Sequence, residues 1–81
     1  TAFIKIKIFD RVSDDLIAIR VHPRVTHEQL VGKVQERLGG KVGALSYRES
    51  VGGAEDFVPL EQDQDLRIWL ESTDKHVLYA D

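Results

Sequence analysis

Between Phe3 and Phe9 the chain reads Phe-Ile-Lys-Ile-Lys-Ile-Phe, with apolar and charged side chains alternating strictly. Period-two alternation rich in β-branched residues is the pattern of a strand with one face on a core and the other toward water. Ile4, Ile6 and Ile8 take the inner face. Lys5 and Lys7 then point outward together, about 7 Å apart. Asp10 to Asp15 supply turn chemistry, and Leu16 to Val21 repeats the alternation with Ile17, Ile19 and Val21 inward. If the two strands pair as a hairpin in that register, Arg20 joins both lysines on the outer face.

Pro23 ends the second strand, and Thr26 opens a helix. Thr26 and Gln29 have capping-box spacing, while Val25 and Leu30 flank them as a hydrophobic staple. Leu30, Val31, Val34 and Leu38 recur at helical spacing and make a buried stripe, and Gly39-Gly40 ends the helix through left-handed dihedrals. Leu45 to Arg48 reads as a third strand. Gly52-Gly53 marks a loop, and Phe57-Val58 forms a short fourth strand stopped by Pro59. Asp63 is placed to cap a short helix holding Leu66, Trp69 and Leu70, and His76 to Ala80 closes the chain as a strand. The order is ββαββαβ, without repeats or low-complexity tracts. It predicts an α+β, ubiquitin-like β-grasp roll in which one amphipathic helix packs across a mixed sheet.

Eighty-one residues hold one domain, 1–81, and a core that needs nearly all of the large apolar side chains. Little is left to line a deep substrate pocket. The chain lacks cysteine, which excludes disulfides and thiolate–metal sites and suits a reducing compartment. No apolar stretch approaches the roughly 20 residues that cross a bilayer, so membrane insertion is not expected. The sequence opens at Thr1 without a signal peptide or methionine and reads as a domain of a longer protein.

Catalytic chemistry is not legible. His22, His27 and His76 lack metal-ligand spacing, so no metal is expected. No strand–turn–helix elbow frames a Ser or Thr nucleophile. The glycine pairs lack the lysine and spacing of a phosphate loop, so no cofactor is expected. Asp14-Asp15 and Glu55-Asp56 fall in segments read as polar loops, where carboxylates ionise normally. The expectation is a protein without enzymatic activity.

Charge is unevenly distributed. Residues 1–48 carry nine Lys/Arg against five Asp/Glu, whereas residues 49–81 carry two against nine, within a net charge of −3. Such a chain can meet a partner through opposite charges. Nucleic acid is a poor candidate, because the basic cluster is small, aromatics do not interleave with it in the sequence, and the acidic half repels phosphates. Conjugation as a modifier would need a free C-terminal Gly-Gly, and this chain ends in a strand.

The ordered set Ile4-Lys5-Ile6-Lys7-Ile8-Phe9, the Thr26 helix, Leu45-Ser46-Tyr47-Arg48, Phe57-Val58-Pro59-Leu60 and Asp63-Gln64-Asp65-Leu66 resembles the Phox/Bem heterodimerisation domain across essentially the whole chain. The segments from Asp10 to Pro23 and from Thr73 to Asp81 look most like the C-terminal domain of fungal Bem/Scd cell-polarity scaffolds. Members of this family associate front to back, a first-strand lysine of one domain meeting an acidic motif of the next. The resemblance implies that Lys7 is that lysine, with Lys5 in its place if the register moves by one repeat, and with Lys5, Arg11 and Arg20 steering approach. The family's acidic motif follows a tyrosine like Tyr47 as a dense Asp/Glu series. Here that stretch runs Arg48 to Ala54 with one acid, and a residual acidic face consists of the dispersed Glu49, Glu55, Asp56, Asp63 and Asp65. The implied role is the basic partner of an acidic-motif Phox/Bem domain in a Rho-family guanine-nucleotide exchange factor. That role is cytoplasmic, and the parent scaffold recruits the domain to polarised cortical sites. Two other readings stand beside it: a Ras-association-type domain binding a small GTPase through Arg20 and the second strand, and a structural domain that self-associates head to tail. A monomer in isolation is expected.

Overall fold

The computed structural model describes residues 2–40, 42–51 and 53–81, apart from the side chains of Ser50, Val51 and Ala54. Lys41 of the basic half and Gly52 of the expected Gly52-Gly53 loop lie outside them. The elements are β1 (Ile4–Asp10), β2 (Leu16–Val21), α1 (His27–Leu38), β3 (Leu45–Val51), β4 (Ala54–Pro59), α2 (Asp63–Ser72) and β5 (Val77–Ala80). One mixed five-stranded sheet runs β2-β1-β5-β3-β4. β1 is antiparallel to β2 and parallel to β5, and β3 is antiparallel to both β4 and β5. The fold is α+β.

The alternation of the first strand is realised directly. Ile6 and Ile8 are fully buried, and their β2 neighbours Ile19 and Val21 nearly so, while Lys5, Lys7 and Arg20 are exposed. The buried side chains join Leu30 and Val34 of α1, Leu66, Trp69 and Leu70 of α2, and Leu45 and Leu78 of β3 and β5 in one core. Both helices therefore feed the inner face of the sheet, and the opposite face carries no helix.

At the start of α1 the capping box closes both ways. The Gln29 amide donates to Thr26 Oγ1 at 3.1 Å, and the Thr26 amide donates to Gln29 Oε1 at 3.0 Å. Val25 and Leu30, the staple, are both buried. Gly39 ends the helix at φ 73°, where its amide donates to the Gln35 carbonyl. Thr26→Ala should cost about 1 kcal/mol, because it leaves the N3 amide without its side-chain acceptor; chemical denaturation of both proteins measures this.

Three local readings are corrected. The third and fourth strands form a hairpin longer than expected, from Leu45 to Pro59, and Pro59 belongs to β4 instead of stopping it. β4 is an edge strand, where a missing N–H costs no ladder bond. Glu55-Asp56 accordingly lies in a strand and not in a polar loop. Asp63 does not cap α2, whose N-cap is Gln62. Its carboxylate accepts from the His27 amide at 2.7 Å, so it serves the first turn of α1 and ties the two helix starts together.

The β1–β2 turn is built by Asp10. Its carboxylate accepts from Ser13 Oγ at 2.8 Å and from the Val12 amide at 3.0 Å, and Asp14 adopts φ 62°. The Ser13 hydroxyl and then the Val12 amide hold the Asp10 carboxyl below its ordinary value of 3.8. A depressed folded value means that the turn gains support above the unfolded-state value and loses it as pH falls through the folded one. Ser13→Ala should move the Asp10 titration, followed by carboxyl NMR, back toward 3.8.

Candidate interaction face

The helix-free face is set by strand pairing. Lys5 lies opposite Arg20, Lys7 opposite Ala18, and Phe9 opposite Leu16. On the other side of β1, Lys7 pairs with Val77 and Phe9 with Tyr79. The hairpin therefore has the register that unites Lys5, Lys7 and Arg20. Lys7 sits on an interior strand between a small side chain and a half-buried valine, neither of which can neutralise it. Among the described residues, Lys5, Lys7 and Arg20 form no ion pair. Two like charges directly opposite, as Lys5 and Arg20 are, oppose strand pairing.

Arg11 differs from the other three. It lies beyond β1, paired with Asp81 Oδ1 at 3.3 Å, with its guanidinium 4.4 Å from the centre of the Phe57 ring. Arg48 is held in the same way, 3.6 Å from Glu55 Oε2 and 6.0 Å from the centre of the Tyr79 ring. Phe9 and Phe57 meet Tyr79 edge to face, at 6.1 and 5.2 Å between centroids. Sequence reading missed this cluster and treated the basic residues as free of interleaved aromatics. The fold interleaves them: Phe9, Phe57 and Tyr79 come from three different strands, and only sheet order places them among Lys7, Arg11 and Arg48.

The dispersed acids separate. Glu49 lies opposite Asp56, alternating along the hairpin with Tyr47 and Val58 on the helix side of the sheet, where Tyr47 stacks on Trp69. Asp65, near the start of α2, accepts weakly from the Glu61 amide at 3.4 Å. Glu55 is bound to Arg48, and Asp63 to α1. The structure thus places Glu49 and Asp56 together, leaves Glu55 with Arg48, and gives Asp63 a structural bond.

At the β2 edge, Arg37 Nη1 donates to the Ala18 carbonyl at 3.1 Å. Among the described residues no group of three His, Asp or Glu side chains converges to hold a metal ion, and no helix is long and apolar enough to cross a membrane. Of the histidines, His27 Nε2 lies 2.6 Å from the Leu60 carbonyl and His76 Nε2 3.1 Å from that of Leu70, each bridging separate elements. No protein-family model and no curated protein matches this chain.

Proposed function

We propose that this chain is a non-enzymatic interaction domain, a ubiquitin-like roll of the Phox/Bem type, that presents Lys7 to the acidic motif of a partner domain. The carrying observation is the setting of Lys7, exposed on the interior strand β1 of the helix-free face between Ala18 and Val77. Lys5 and Arg20 extend the positive field along the same face, and an approaching carboxylate cluster relieves their mutual repulsion. The partner is the acidic-motif domain of a Rho-family exchange factor. Through this contact a cytoplasmic scaffold at the polarised cortex brings the factor to its GTPase, so that local activation reinforces itself.

The broken acidic series supports the basic role over a double-sided one, since only Glu49 and Asp56 stand directly opposite each other. A GTPase partner would instead add a strand along β2. There the Arg37 bond to the Ala18 carbonyl already occupies an edge acceptor, which weighs against that reading.

Titrating the ¹⁵N-labelled domain with the acidic-motif domain tests the proposal. Amides of Lys5, Lys7 and Arg20 should shift together. Shifts confined to Glu49 and Asp56 on the helix side would put the contact on the wrong face and overturn it.

A further inference from the structure

Lys7 is followed two residues later, on the same face, by an apolar centre that the charge account leaves unused. Leu16, Phe9 and Tyr79 form one row across β2, β1 and β5, and Phe57 leans onto Tyr79 from β4. Leu16 is 63% exposed and Phe57 42%, although both have core-type side chains. A half-buried apolar row on a helix-free sheet face gains free energy when something covers it.

What covers it must tolerate cations on several sides. Lys7 flanks the row beside Phe9, while Arg11 and Arg48 lean over the Phe57 and Tyr79 rings, each held there by a carboxylate. The Arg11 guanidinium, 4.4 Å from the Phe57 centroid, and the more distant Arg48, 6.0 Å from that of Tyr79, stand on ring sides from which a nucleic-acid base would stack. They leave the exposed Leu16 side chain and the ring edges, which suit an aliphatic or aromatic side chain. Lys7, which no carboxylate among the described residues pairs, asks that this side chain come from an acidic segment.

We propose that the helix-free face is a composite site: Lys7 takes the carboxylates of an acidic protein segment, and the Leu16–Phe9–Tyr79–Phe57 centre takes an apolar side chain of that same partner. The inference rests on the basic-face reading and adds the partner's second requirement. Charge gives the contact its orientation and salt sensitivity, and the apolar centre gives it a component that salt does not screen.

The two components separate in calorimetry of the acidic-motif domain at several salt concentrations and temperatures, with wild type, Lys7→Ala and Leu16→Ser. Leu16→Ser is chosen because that side chain is largely exposed, and Phe57→Ser, checked for folding by heat denaturation, is a second variant. Leu16→Ser should weaken binding about tenfold, equal to about 1.4 kcal/mol. It should keep the salt dependence of the wild type and make the heat-capacity change less negative, the mark of lost apolar burial. Wild-type affinity in both Leu16→Ser and Phe57→Ser, with Lys7→Ala still inactive, would overturn the apolar site and leave the basic face standing. No binding by wild type would overturn both. Self-association of the wild type that Leu16→Ser removes would put a second copy on the face and overturn the acidic partner. Competition by single-stranded oligothymidylate that depends on Phe57 would do the same in favour of nucleic acid.

Discussion

Lys7→Ala is expected to remove partner binding while leaving the fold intact. The ammonium group stands on an interior strand, flanked by Ala18 and Val77, and supports no contact on which the core depends. Its loss therefore takes nothing from the Ile6–Ile8 side of β1, which faces the opposite way. In the proposed complex the same group would meet several carboxylates as water is excluded, through charge-assisted bonds. Removing one partner from such a desolvated set costs about 2–5 kcal/mol, a large part of it from the carboxylates left buried without a cation. That is enough to abolish a complex of micromolar strength. Lys5→Ala and Arg20→Ala should act more weakly, chiefly on the association rate and most visibly at low salt. Stopped-flow association measured at two ionic strengths separates these cases.

The largest effect on stability should come from Leu30→Ala, at about 2–5 kcal/mol. Leu30 is fully buried where α1 meets the sheet, and it is also the residue that Val25 staples. Truncation leaves a cavity in a core rich in Ile and Val, whose side chains have little rotamer freedom with which to fill it. A domain of this size has a total stability of about 4–12 kcal/mol, so the variant stands near its unfolding threshold. Chemical denaturation should show a lower midpoint at unchanged slope, since the surface exposed on unfolding is nearly the same. Val31→Ala, on the half-buried flank of the same stripe, should cost clearly less.

These two expectations draw on parts of the molecule that differ in how legible they are. The stripe of Leu30 and Val34, the cap at Thr26 and the stop at Gly39 are local, written within one or two turns of chain, and the sequence specifies them without help from the fold. The alternation in β1 and β2 is equally local, and it determines which side each lysine faces once the hairpin register follows. The β3–β4 hairpin is another matter. Its middle, Arg48-Glu49-Ser50, is an unbroken polar run in the sequence, so period-two hydrophobicity gives no signal there, and backbone pairing with β4 carries the strand onward. Asp63 misled because a carboxylate before an apolar helical stripe fits a local cap. Its actual donor, the His27 amide, belongs to the other helix, which only tertiary packing brings near. The aromatic centre beside Lys7 was illegible for the same reason. Phe9, Phe57 and Tyr79 become neighbours through the parallel pairing of β1 with β5 and the reach of the Phe57 side chain from the edge strand.

Lys7 is proposed as the anchor of a basic docking face. Isothermal titration of the acidic-motif domain of a Rho-family exchange factor into wild type and Lys7→Ala, both verified as folded, tests it most directly. Wild type should give a saturable isotherm that weakens with salt, and Lys7→Ala a flat trace. Equal binding by the two proteins would contradict it.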